Sequence, residues 1–237
     1  MPRYREINSK RTVDISSARH IEYRSKKYAK IGLLRFFAVL LLAPSLFGQS
    51  TSSLSWSAKN IHSIQLTLPF VNQIKIIGEK RSSIKIDYQT EGEYQKELRL
   101  KSEEINRELR LEEQLAPSFT PYHDKLSAHK VMASTLTLWL PERISLSLQI
   151  QNAKSTISGK ISSLSVKQIE GNLHLDAIDA KGHLYTQKAI IQVHQSKQKV
   201  FASSKNGRLN GFFSSEDEAQ LFLQSRDGDI SIISDRN

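Results

Sequence analysis

The chain has 237 residues and a formal net charge of +10, which leaves room for one domain plus a removable segment. It contains no cysteine, which excludes disulfides, thiolate metal sites, a cysteine nucleophile and a lipid-modified N-terminal cysteine. The charge sits at the start: residues 1–35 carry ten Lys or Arg against three acids, while from Gln49 onward 24 basic groups face 21 acidic ones, so no nucleic-acid partner is expected.

The stretch KKYAKIGLLRFFAVLLLAPSLFGQS has the parts of an export signal. Lys26, Lys27, Lys30 and Arg35 precede an apolar run from Phe36 to Ala43, and Pro44 and small residues lead to Gln49. That run is about half of the roughly 20 residues a spanning helix needs. Residues 1–48 are therefore expected to be a leader cleaved after Gly48, although Leu46 is bulky for its position. The alternative is an uncleaved anchor with a positive inner flank. Since Met1 and Met132 are the only methionines, residues 1–30 also read as a mis-annotated start, with the true start near Leu33. The expected product is exported to the periplasm or cell surface, touches the membrane only transiently through the leader, and carries one domain over 49–237.

After Gln49 apolar residues recur with period two, the mark of strands with one buried face. Ile64, Leu66 and Leu68 alternate, as do Ile74 and Ile76, then Ile84, Ile86 and Tyr88, with a turn at Gly78 and EKRSS. Residues 93–114, EYQKELRLKSEEINRELRLEEQ, favour helix by composition, yet Leu98 with Leu100 and Leu109 with Leu111 alternate around a polar centre. A hairpin turning near Glu104 to Asn106 is expected. Leu136, Leu138 and Leu140 alternate up to Pro141, and Ile144 to Ile150 alternate after it.

From there the chain repeats. Ala153, Gly171, Ala189, Gly207 and Gly228 lie 18, 18, 18 and 21 residues apart. Aliphatic residues fill most slots five and seven positions before these anchors and two and four after them. An 18-residue coil with two short strands cannot bury its own apolar side, so coils are expected to stack about 4.8 Å apart with like over like. Asp227-Gly228-Asp229, which could be a calcium loop or a carboxylate pair, then falls where Asn206-Gly207-Arg208 falls and reads as a turn.

The segments VMASTLTLWLPERISLSLQIQNAKSTISG, LSVKQIEGNLHL and LQSRDGDISI resemble the bacterial domain family called putative adhesin, DUF4097 or DUF2807, over roughly Ile61 to Ile232. The resemblance implies a right-handed parallel β-solenoid; with the strand pattern, an all-β chain is expected with coils over 144–233 and an antiparallel strand cap within 61–140. It also implies an extracytoplasmic, non-enzymatic role. Ala153 and Ala189 stand in glycine slots, and Gly182 and Gly211 in apolar ones, so less regular third and fourth coils are expected.

Candidate chemistry is sparse. Asp176, Asp179, Glu216, Asp217, Glu218, Asp227 and Asp229 never share a slot in adjacent coils, which argues against the paired carboxylates of a polysaccharide-active β-helix enzyme, the alternative function. His123, Asp124 and His129 lack a third ligand, and Asp176 and His194 fall side by side as ladder decoration. No catalytic residue, cofactor or metal is expected. One feature suggests binding: His183, Phe201 and Phe222 all stand six residues before their anchors, with Tyr185 nearby, and would form an aromatic ladder outside the stack for an envelope glycan or protein. A cover supplied by residues 49–114 is the competing expectation.

Overall fold

The computed structural model describes residues 50–92, 97–117 and 133–233, all within the compact unit Phe47–Asn237. The leader and the His123, Asp124 and His129 group lie outside the described residues. Among the described residues the chain is all-β, with one short 3-10 turn at Glu216–Glu218. No helix among them is long and apolar enough to cross a membrane.

The strands are β1 (Ser50–Ser57), β2 (Ser63–Leu68), β3 (Val71–Glu79), β4 (Ser83–Glu91), β5 (Leu98–Ile105), β6 (Glu108–Leu115), β7 (Ala133–Pro141), β8 (Ser145–Thr186), β9 (Ile190–His194), β10 (Val200–Ser204), β11 (Leu209–Asn210), β12 (Leu221–Ser225) and β13 (Ile230–Ile233). They form one large mixed sheet. The hairpin of β5 and β6 is present, and its turn is Asn106-Arg107, both at positive φ, the geometry a two-residue hairpin loop demands.

The 42 residues of β8 are several short strands separated by corners. Residues 145–150 pair in parallel with β2, and 154–159 with β3. Residues 172–176 pair with β9 one 18-residue step later. A winding thus contributes one strand to a first face and, past the anchor corner, one to a second face. The first face runs β5, β6, β2, three passes of β8, β12 and β10. The second runs β1, β4, β7, β3, two passes of β8, β9, β13 and β11.

Inward residues of paired strands are aligned. Leu111, Leu66 and Leu148 are in register, as are Leu184, Leu223 and Ala202, and all are buried along with Val166. Each leucine or valine among them contributes about 1.5–3 kcal/mol by leaving water. The anchors are small because backbones meet there. A Cβ on Gly171 would lie 2.2 Å from the Ala153 carbonyl oxygen, and one on Gly228 2.0 Å from that of Ala189.

Two expectations need correction. β2 and β3, assigned to an antiparallel cap, run parallel to β8 as a winding of their own; the antiparallel pairs are β1–β4, β4–β7 and β5–β6. Alternation reports which side is buried but not strand direction, so the two cases look alike in sequence. The last windings are also out of chain order. β12 and β13 lie directly on 182–186 and β9, while β10 and β11 lie beyond them. Gly228 therefore rests on Ala189, and Gly207 on Gly228.

A second corner, six residues past the anchors, also repeats every 18 residues: Gly159, Ala177 and Gln195 have φ of 80°, 45° and 48°. An L-residue in this left-handed region costs about 1 kcal/mol, partly offset by the lower chain entropy of the unfolded non-glycine residue. Ala177→Gly is therefore expected to raise the unfolding free energy by about 0.5 kcal/mol. Chemical denaturation checks this, and a loss of stability would contradict it.

Candidate binding face

On the first face, residues of odd number in β8 point outward and those of even number point into the core, as their exposed and buried pattern shows. The inward slot three residues before each anchor is polar in four windings. Gln168 accepts from Ser155 Oγ at 2.8 Å and donates to the carbonyls of Ala153 and Glu170. Thr186 Oγ1 contacts both the Ala189 carbonyl and Ser225 Oγ at 3.0 Å. Ser225 and Ser204 accept from the N–H groups of Gly228 and Gly207. These side chains satisfy backbone groups at buried and half-buried corners. Polar residues at inward parity were the signal for this column, and the repeat pattern alone passed over it.

The turn Asp227-Gly228-Asp229 is tied to its neighbour winding. Asp227 Oδ1 accepts from Asn206 Nδ2 at 2.6 Å, and Asp229 Oδ1 from the Arg208 N–H at 2.7 Å. The Asn206 hydrogen bond and then the Arg226 guanidinium hold the Asp227 carboxyl below its ordinary range. The other repeat acids are dispersed: Glu218 pairs with Lys199 and Asp179 accepts from Gln198. Asp176 and His194 are register partners on the second face.

A further buried group escaped sequence reasoning. Glu113 on β6 is 2% exposed. Its Oε1 accepts from Tyr88 Oη at 2.9 Å and from Ser134 Oγ, and its Oε2 from the Phe70 N–H at 2.8 Å. Three donors from three segments converge on one carboxylate, joining the β2–β3 turn to β4, β6 and β7. Its signal was parity: Glu113 continues the inward series of Leu109 and Leu111.

The four ladder residues all stand on the first face. His183 pairs with Phe222, and Phe222 with Phe201, so the order is 183, 222, 201 rather than that of the chain. The His183 and Phe222 rings stack with centroids 4.7 Å apart and an interplanar angle of 13°. Phe201 and Phe222 are 6.2 Å apart and tilted by 55°. His183 and Tyr185 are exposed, and the two phenylalanines are half-buried. The strands over 50–115 lie on the opposite side of the early β8 windings from this ladder.

The same face has two depressions on that other side. One of about 320 Å³ is bounded by Gln65, Thr67, Lys101, Glu103, Arg110 and Glu112. The other, about 220 Å³, is bounded by Thr67, Pro69, Gln149, Gln151, Lys167 and Ile169. By the 18-residue step Lys167 is the outward neighbour of Tyr185, so the smaller depression borders the ladder.

No family model matches the chain, and no curated protein matches it. Among solved structures, a putative cell adhesion protein from Clostridium sporogenes aligns over 78% of this chain and 99% of its own, at 17% identity and a TM-score of 0.55. The two share a fold. A putative adhesin from Bacteroides fragilis aligns over 78% of this chain and 97% of its own at 12% identity, with a TM-score of 0.30, a likeness too slight to bear on architecture.

Proposed function

We propose that the chain is an exported, non-enzymatic envelope or cell-surface module, an adhesin-like right-handed β-solenoid that offers its first face to a glycan or protein partner. The observation that carries this reading is the contact of three rings from three windings in one outward slot. A rigid stack holds them at fixed spacing, so little side-chain freedom is lost when a partner binds. Aromatic faces of this kind stack on sugar rings or on apolar protein groups. The fold shared with a protein named for cell adhesion agrees with such a role, and the carboxylates of the Asp227-Gly228-Asp229 turn are engaged by turn donors rather than aimed at a common point.

The test is the double variant Phe201→Ala with Phe222→Ala, assayed on arrayed envelope glycans and immobilised envelope proteins. Loss of two rings, at about 0.5–1.5 kcal/mol each, should weaken binding at least about fivefold while the circular dichroism spectrum keeps its strand signature. Undiminished binding by the folded variant would remove the ladder from the function.

A further inference from the structure

Beyond β2, the outward positions of the first face carry a one-sided charge. From Ser145 onward its five passes place twenty residues outward, four on each: the odd-numbered residues of 145–151, 163–169, 181–187 and 199–205, and the even-numbered ones of 220–226. None is Asp or Glu, whereas Lys167, Lys181, Lys199, Lys205 and Arg226 are basic, and all five are exposed. Lys199 is paired with Glu218 and Arg226 with Asp227. Among the described residues, Lys167, Lys181 and Lys205 form no ion pair. On the second face the same windings are balanced, with Asp176 and Asp229 outward alongside Lys154 and Arg208.

The cations surround the rings. Lys181 is two residues from His183 on one side, Lys167 is the neighbour of Tyr185, and Lys205 stands at the far corner of the Phe201 strand. From Thr67 to Ser203 there are five inter-strand steps, a track of about 24 Å, and the 220 Å³ depression bounded by Lys167 opens onto it.

Resting on the binding reading above, we infer that this track takes a linear acidic polysaccharide whose sugars bear carboxylates, a uronate glycan, laid along the stack axis. The rings require a ligand with flat, weakly polar faces, which pyranose rings have and a flexible polyphosphate chain lacks. Separate single ammonium groups, rather than a fork of arginines, suit one carboxylate per sugar. Outward slots without an acid, from Ser145 onward, impose no repulsion on a chain laid across them.

The experiment uses the full chain in affinity electrophoresis through gels containing polygalacturonate, its fully methyl-esterified form, or polyglutamate. Retardation by polygalacturonate is expected, weakened by salt and at least about tenfold weaker with the methyl ester, a difference of about 1.4 kcal/mol. The triple variant Lys167→Gln, Lys181→Gln, Lys205→Gln should lose it to a similar degree, and Phe201→Ala with Phe222→Ala should also reduce it. Three results would overturn the inference. Equal retardation by the methyl ester would leave a neutral-glycan face, and the function proposed above would stand. Equal retardation by polyglutamate, insensitive to the ring variant, would mean charge attraction without sugar recognition. No retardation by polygalacturonate would refute the uronate ligand, and binding of the array by the parent but not the ring variant would still preserve the broader reading.

Discussion

Gly171→Ala is expected to lower the unfolding free energy by about 3 kcal/mol, the sum of a positive-φ penalty and of overpacking. Gly171 has φ of 97°, and a Cβ there would stand 2.2 Å from the Ala153 carbonyl oxygen. Both obstacles are backbone, so no rotamer change relieves them. Windings lie on both sides of this corner and hold it in place. Gly207 supplies the contrast: its Cβ would be 2.1 Å from the Gly228 carbonyl, but it belongs to the outermost winding, where β10 and β11 can move outward. Gly207→Ala should cost about 1 kcal/mol. Urea titration of the two variants checks the pair, and equal losses would contradict the account of the anchors as sites of backbone approach.

Removing the Glu113 carboxylate should be as damaging. Glu113→Ala leaves Tyr88 Oη, Ser134 Oγ and the Phe70 N–H buried without an acceptor, at about 1 kcal/mol or more each, hence about 3 kcal/mol in total. Glu113→Gln keeps an oxygen for Tyr88 and Ser134 but turns an amide N–H toward Phe70, so roughly half that loss is expected. A loss under about 0.5 kcal/mol for the alanine variant, typical of a surface site, would contradict the burial argument. Burial, followed by the neighbouring Glu113 charge, also pushes the Tyr88 phenol above its ordinary value of 10.0. The folded chain then keeps a proton that the unfolded chain releases, so this contribution is intact below pH 10 and falls away as pH rises beyond it. Tyr88→Phe should flatten that alkaline decline.

Sequence pattern revealed most of the core and little of the connectivity. The 18-residue step, the inward file through Leu148, Val166 and Leu184, and the β5–β6 hairpin were all legible, because burial imposes a period on the chain. The neighbours of a strand are not encoded that way. His183, Phe201 and Phe222 fill the same slot, so repetition alone could not tell whether Phe201 or Phe222 adjoins His183. β2 and β3 read as generic strands because hydrophobic alternation carries no direction. Of the candidate binding face, the four ring positions were singled out from the sequence, whereas Lys167, Lys181 and Lys205 were not. That no acid shares their rows from Ser145 onward emerges only when those strands are laid side by side. Glu113 and the Gln168, Thr186, Ser204 and Ser225 column were missed because a polar residue in a strand is ordinarily assigned to water, even when its parity points inward.

The exchanged order of the last two windings has a kinetic consequence. Residues 200–204 match the berth beside 182–186 slot for slot, and reaching it closes a loop of about 18 residues. The occupant actually found there, β12, must close one of 39, from His183 to Phe222. Chain-closure entropy thus favours the wrong tenant by about 0.7 kcal/mol, and nearer contacts form sooner. The contacts that β12 makes beside 182–186 must therefore outweigh this bias for the exchanged order to hold.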